Sequence, residues 1–241
     1  MNGKTDIKGI IFDYGGTLDT GGCHWGRMLW QAYQRAGVAV TEQQFRDAYV
    51  QAERTLDAEA LVLPADTFRT TLAKKIALQL KQLGTASCVD AVADTLLADL
   101  YVRVEHHTSE SREVLLRLKQ RFPLVLVSNF YGNMTTVLRE FALDGVFSHV
   151  VESAVVGIRK PDPRIFVLGV EALQLQPYEV VVVGDSFQND ILPAREAGCK
   201  TVWLKGEGWS NNPCDERIPD RVINNLKQIE KNIIIAWKKE M

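Results

Sequence analysis

Two aspartates, each placed where a short apolar run stops, carry the first suggestion of chemistry in this chain. Asp13 follows Gly9-Ile-Ile-Phe12 and precedes Tyr14-Gly15-Gly16-Thr17, while Asp185 follows Val180-Val-Val-Val-Gly184 and precedes Asp190 by five residues. Such runs suit parallel strands buried on both faces, whose carboxyl ends deliver the next residue into a crevice. The glycines after Asp13 let the backbone fold closely around a ligand. Ser128 and Asn129 end a third apolar run, Leu124-Val-Leu-Val, and Lys160 lies in Gly157-Ile-Arg-Lys-Pro-Asp-Pro163. Carboxylates held close together repel unless a proton or cation neutralises them. A hard oxygen site of this kind suits Mg²⁺, which takes one or two carboxylates together with phosphate oxygens. Thr17, Ser128 and Asn129 add uncharged donors, and Lys160 adds a positive charge. The set is suited to holding a phosphoryl group against a nucleophilic carboxylate. Singly, each residue has an ordinary role as a turn residue, helix cap or exposed loop lysine. Their order along the chain is what argues for chemistry.

Those residues need elements that bring them together. Apolar, β-branched runs at 9–12, 124–128, 149–153, 180–184 and 201–204 read as strands. Between the later strands, helices are expected over 111–121, 135–141, 163–173 and 190–197, the last capped by Gly198. Strand–helix alternation of this kind predicts an α/β fold with a doubly wound parallel sheet and its ligand crevice at the carboxyl ends of the strands. Those ends are Asp13, Ser128-Asn129 and Asp185. From 27 to about 103 the pattern turns helical and holds no strand. Met28, Leu29, Ala32, Tyr33 and Ala36 fall at helical spacing before Gly37, and Thr41 with Gln44 forms a capping box. Further helices are expected over 65–83 and 89–105. Four successive helices between two strands predict a helical subdomain, 21–107, inserted into an α/β core of 1–20 and 108–241. Residues 220–229 read as a surface helix.

The 241 residues are 46% hydrophobic and 24% charged, which is ordinary for a globular chain with a sizeable core. A net charge of −2 gives no electrostatic case for nucleic acid or membrane surfaces as partners. No apolar stretch is long enough to span a bilayer. Cys23, Cys88, Cys199 and Cys214 are widely spaced and form no CxxC pair, so reduced thiols are expected. With MNGKTDIKG at the start lacking a signal-peptide apolar run, the expected compartment is the cytoplasm.

The ordered set Asp13-Tyr-Gly-Gly-Thr17-Leu18, Ser128-Asn129, Lys160-Pro161 and Gly184-Asp185-Ser186-x-x-Asn189-Asp190 resembles the four motifs of the haloacid dehalogenase-like superfamily across nearly the whole chain. The resemblance implies a Mg²⁺-dependent phosphohydrolase acting on a small phosphorylated metabolite. Asp13 would be the nucleophile that becomes an aspartyl-phosphate. Asp13, Asp185 and the backbone carbonyl of Gly15 would ligate the metal, with Asp190 as a further metal-site or Lys160-positioning carboxylate. Ser128 and Lys160 would bind phosphoryl oxygens, supported by Asn129 and Thr17. The helical insert would be the family's small cap, closing over the site and excluding water. One position departs from the pattern. The family's phosphatases usually carry a second Asp two residues after the nucleophile as general acid and base, a role worth about 10²–10⁴-fold, and this chain has Gly15 there. Asp19, Cys23 and His24 are the nearby candidates for that task. The same departure admits carbon–halogen or carbon–phosphorus cleavage on this scaffold, or a non-catalytic module that binds a phosphorylated metabolite or a protein partner. Against carbon–phosphorus cleavage, Lys74, Lys75 and Lys81 read as a solvated helix face and supply no Schiff-base lysine. Among the cap arginines, Arg27, Arg46, Arg54 and Arg69 are candidates to meet a second anionic group.

Overall fold

In a computed structural model describing residues 6–84, 89–209 and 214–234, the apolar runs become one parallel sheet. Its strands are β1 (Gly9–Phe12), β2 (Leu124–Ser128), β3 (His149–Glu152), β4 (Val180–Gly184), β5 (Lys200–Leu204) and β6 (Arg221–Ile223), in the order β3-β2-β1-β4-β5-β6. Every residue of β1, β2 and β4 is buried, which is why these strands read as unbroken apolar runs. Alternate side chains serve opposite faces: Ile10, Phe12, Leu126, Val181 and Val183 join one core, and Ile11, Val125, Val127 and Val182 join the other. The chain winds outward from β1 in one direction through β2 and β3, and in the other through β4 to β6. The reversal lies between β1 and β4, so the crevice opens there at the carboxyl ends.

Four helices follow β1: α1 (Trp25–Arg35), α2 (Glu42–Ala58), α3 (Phe68–Gln82) and α4 (Val89–Lys119). The capping box at the start of α2 forms as expected, with Thr41 accepting from the Gln44 amide. The separate helices expected over 89–105 and 111–121 are instead one α4 of 31 residues. Nothing between 105 and 111 breaks a helix. The Thr108 hydroxyl donates back to the Val104 carbonyl at 2.7 Å rather than capping a new start. Val104, Thr108, Ser111, Leu115 and Leu118 are all buried, a continuous inward stripe. Ser111 also donates to the Leu18 carbonyl at 2.8 Å, tying α4 to the loop after β1.

Beyond β2 come α5 (Met134–Glu140), α6 (Ser153–Val156), α7 (Arg164–Leu173), α8 (Leu192–Glu196) and α9 (Ile229–Ile234). The expected helix over 220–229 is the second correction. Arg221–Ile223 adds β6 to the sheet, a 3₁₀ turn covers Leu226–Gln228, and α9 begins only at Ile229. The carboxylate of Asp220 accepts from the Thr201 amide at 3.0 Å and from Lys200 Nζ at 3.0 Å, docking the segment against the otherwise open edge of β5. Ile223, Leu226 and Ile229 are buried, and their three-residue spacing imitates a helical stripe. Among the described residues no helix is long and apolar enough to cross a membrane. Cys23 and Cys199 are free thiols, and Cys88 lies outside the described residues.

Candidate active site

The Asp13 amide donates to the Val183 carbonyl at 2.9 Å, so the β1–β4 ladder runs to the last residue before the crevice. Asp13 is 5% exposed, and its carboxylate ion-pairs with the Lys160 ammonium, which also meets Asp190 Oδ1 at 2.7 Å. The second oxygen of Asp190 accepts from the Ser186 amide at 2.9 Å, so both its oxygens are engaged. Asp190 sits in a π-helical turn, Phe187–Ile191, preceding α8, and packs over Gly184, where a Cβ would lie 2.4 Å from its own. The Thr17 hydroxyl lies 3.1 Å from Asp13 Oδ2 and 3.2 Å from Asp185 Oδ1, and accepts from the Asp185 amide at 3.0 Å. Its single proton serves one of the two carboxylates at a time.

Carboxylate oxygens of Asp13, Asp185 and Asp190 come within 4.8 Å of one another. Three carboxylates face one ammonium, so two formal negative charges stay unbalanced. The protonation equilibria register this. Burial pushes the Asp13 carboxyl up to about 6, with Lys160 opposing and the Asp190 charge adding to the rise. Burial, then the charges of Asp190 and Asp13, push Asp185 well above the carboxylate range. Burial opposes the charge on Lys160, yet its two carboxylate partners outweigh that and raise its pKa. An all-oxygen set with a deficit of two charges fits a divalent hard cation.

Gly16 makes this geometry possible. Its φ is +94°, and a Cβ there would lie 2.4 Å from the Asp185 carboxylate oxygens. Gly16→Ala is expected to destabilise the fold by roughly 2 kcal/mol or more, from the left-handed backbone and the displaced carboxylate together. Urea denaturation compared with the parent protein checks this.

Ser128 ends β2, and its hydroxyl makes no hydrogen bond to any described residue, which leaves it available to a ligand. Asn129 is committed elsewhere: its Oδ1 accepts from the Lys160 amide at 2.8 Å and its Nδ2 donates to the Lys160 carbonyl at 3.0 Å. It clasps the loop that carries the lysine. Asp13, Thr17, Ser128, Lys160, Asp185 and Asp190 are thus brought to neighbouring strand ends, with Asn129 holding one of them.

Beside these ends is a cavity of about 230 Å³, with Gly15, Asn129 and Asp185 on one wall and helices of the insert on the other. The insert contributes Trp25 from α1, Tyr49 and Glu53 from α2, and Phe68 and Lys75 from α3. Lys75 does not lie on a solvated face, as its sequence context suggests. Its side chain is 12% exposed and pairs with Glu53 Oε1 at 2.6 Å. The signal is present in the sequence, because Lys75 shares the inward stripe of Phe68, Leu72, Ile76 and Gln79.

The three candidates to replace a second Asp have separate fates. Asp19 is fully buried, accepts from the Gly16 amide at 2.7 Å and from Trp25 Nε1 at 2.8 Å, and is raised to about 7 by burial. It braces the turn and the indole. Cys23 directs its thiol at the His24 carbonyl, 3.8 Å away. His24 lines the cavity, caps α1 by accepting from the Gly26 amide at 3.0 Å, and is held neutral by burial, which pushes it down to about 4. Of the four arginines, Arg27 and Arg46 pair with Glu207 and Glu42, and Arg69 lies over the Tyr101 ring. Arg54 borders the cavity mouth.

Comparison with known proteins bears on this arrangement. A family model described as haloacid dehalogenase-like hydrolase matches residues 7–198. A phosphoglycolate phosphatase of Vibrio vulnificus is 30% identical over 240 residues, covering 97% of this chain and 99% of that protein. A glyceraldehyde 3-phosphate phosphatase of Pyrococcus furiosus is 33% identical over 123 residues, 49% of this chain, and the chain spans about half (51%) of that relative's length. A dehalogenase solved with an intermediate complex has the same fold, with a TM-score of 0.66 at 18% identity over 95% of this chain and 97% of that one. Because the family model spans the sheet from its first strand to the turn after α8, and with it all four motifs, the chain belongs to the haloacid dehalogenase-like hydrolases.

Proposed function

We propose that the chain is a Mg²⁺-dependent phosphohydrolase that cleaves a small phosphorylated metabolite through an aspartyl-phosphate on Asp13. The observation that supports this best is the buried group of three carboxylates around one lysine, two charges short of balance, beside the uncommitted Ser128 hydroxyl. Full-length similarity to a phosphoglycolate phosphatase supports the same chemistry.

In the first step an Asp13 oxygen attacks phosphorus. The new O–P bond forms as the bond to the leaving oxygen breaks, and that oxygen departs with the electron pair. Water then attacks the phosphorus of the aspartyl-phosphate, the Asp13–phosphorus bond breaks, and inorganic phosphate and the free carboxylate are released. Lys160 and Ser128 bind the phosphoryl oxygens through both steps, Asn129 fixes the lysine's backbone, and Asp190 aims its ammonium. Mg²⁺ held by Asp13, Asp185 and the Gly15 carbonyl would supply the positive charge that the transferring group requires. Residues 21–107 act as a cap that excludes water from this step, over a core of 1–20 and 108–241. With glycine at position 15, the leaving oxygen receives no proton from a carboxylic acid there, so turnover falls as the basicity of the leaving group rises. Lys75 does enter the cavity, but as an ammonium paired with Glu53. Carbon–phosphorus cleavage through a Schiff base requires a free amine, so the pairing disfavours that chemistry.

The test uses p-nitrophenyl phosphate and acetyl phosphate. Hydrolysis is expected with Mg²⁺, abolished by EDTA, and restored by excess Mg²⁺. Halide release from a 2-haloacid without turnover of either phosphate would overturn the reading.

A further inference from the structure

The wall of the cavity facing the strand ends holds a pair of charges that none of the phosphoryl chemistry uses. Lys75 Nζ lies 2.6 Å from Glu53 Oε1, and the Tyr131 hydroxyl donates to Glu53 Oε2 at 2.5 Å. The same ammonium lies 5.7 Å from the Trp25 ring centre and 5.5 Å from that of Tyr131. Burial opposes the charge on Lys75, but the Glu53 carboxylate outweighs it and raises the lysine's pKa. His24, on the same wall, is neutral. The insert side of the cavity therefore has no net charge at neutral pH, and its one buried cation is already matched.

We propose that this wall selects a phosphomonoester whose leaving group is uncharged and rich in hydroxyls, of the size of a sugar, over one whose leaving group carries a carboxylate. The proposal rests on the phosphohydrolase reading and specifies its substrate class. Three features support it. A carboxylate a few bonds from the phosphorus would have to share the one ammonium with Glu53, setting two like charges against each other in a largely desolvated wall, which is unfavourable. Hydroxyls bring no second charge. An ammonium has three protons and a carboxylate about four acceptor sites, so the pair retains donors and acceptors for a vicinal diol. Around the pair, Trp25, Tyr49 and Phe68 present aromatic surface suited to the apolar face of a ring. At about 230 Å³ the cavity is smaller than the roughly 300–1,000 Å³ typical of drug-sized ligands, which favours a monosaccharide over a nucleoside. Arg159 reaches the cavity from its mouth, and Arg54 and Asp57 stand outside it, around an adjoining recess. The Arg159–Asp57 pair there is 62% and 54% exposed, where solvent and salt screen any attraction for an anion.

The test is a panel assayed with Mg²⁺: p-nitrophenyl phosphate, a hexose 6-phosphate, a pentose 5-phosphate, 2-phosphoglycolate and 3-phosphoglycerate. The sugar phosphates are expected to exceed the two acids in kcat/KM by at least about tenfold, a difference of 1.4 kcal/mol or more. Glu53→Gln, which frees the Lys75 charge, is expected to move the sugar-to-acid ratio toward the acids by about tenfold or more. Wild-type preference for the acids, equal rates for both classes, or an unmoved ratio in Glu53→Gln overturns the proposal. The wild-type ratio decides even where the variant fails to fold. Hydrolysis of p-nitrophenyl phosphate without the expected preference defeats this proposal and leaves the phosphohydrolase reading standing, whereas no turnover of any phosphate ester defeats both.

Discussion

Asp13→Asn is expected to remove phosphate-ester turnover, by at least about 10⁴-fold, while leaving the protein no less stable than its parent in EDTA. An amide cannot carry the nucleophilic electron pair of a carboxylate, so the first bond to phosphorus is not made. The stability half follows from the site's charge. Asp13 is buried beside Asp185 and Asp190 with one lysine to share, and its carboxyl is raised to about 6 from an ordinary value of 3.8. A carboxyl that holds its proton more tightly in the folded state than in the unfolded one loses stability on ionising. That loss develops as pH rises from about 4 to about 6 and is complete above it. Asparagine escapes the loss, and Lys160 keeps its partner Asp190. The melting temperature of Asp13→Asn in EDTA should therefore equal or exceed the parent's at pH 7.5, with the difference shrinking toward pH 4. Excess Mg²⁺ should raise the parent's melting temperature more than the variant's, because only the parent retains the full ligand set. Unchanged phosphatase activity in a folded Asp13→Asn protein would remove Asp13 from the nucleophile's role.

The residues of this site are legible in the sequence because the strands that carry them are buried on both faces. Apolar runs without alternation stop abruptly at Asp13, Ser128 and Asp185, and the physics that buries the runs also places their ends together. Boundaries that depend on tertiary partners are less legible. The 31-residue α4 looks like two helices because His106-His107 and Thr108-Ser109 interrupt its apolar pattern, yet Thr108 and Ser111 satisfy their hydroxyls on neighbouring carbonyls and remain inside. β6 is hidden because its docking depends on Asp220 meeting Thr201 and Lys200 across the edge of β5, a contact with no local signature. The insert's cavity wall is obscured for a related reason. A lysine on a helix is ordinarily solvated, and nothing near Lys75 in sequence announces Glu53, twenty-two positions earlier on a different helix. What the stripe of Phe68, Leu72 and Ile76 does offer is the direction in which Lys75 points.

Gly15→Asp is expected to raise activity. Of the two glycines after Asp13–Tyr14, only Gly16 is required by the backbone. Gly15 is not among the positive-φ glycines, and a Cβ there meets nothing closer than Trp25 Cδ1 at 3.8 Å and Nε1 at 3.9 Å, ordinary contact distances. A side chain at this position would enter the cavity that Gly15 lines. The nearby indole N–H of Trp25 is already donated to Asp19 at 2.8 Å, so the new carboxyl would keep its own proton for the leaving group rather than be held by that donor. The neighbouring carboxylates would raise its pKa, the direction a general acid requires near neutral pH. The gain should depend on the leaving group. For an alkyl phosphate, whose alkoxide needs a proton to depart, kcat/KM is expected to rise by about 10²–10⁴-fold. p-Nitrophenyl phosphate, whose phenolate leaves without help, should gain far less. A fourth carboxylate beside a cluster already two charges short should also lower the melting temperature in EDTA, and Mg²⁺ should recover part of that loss. Equal gains for both leaving groups would mean that the new carboxyl acts through binding rather than proton transfer. No gain in a folded variant would mean that proton delivery at position 15 does not limit this chain's turnover.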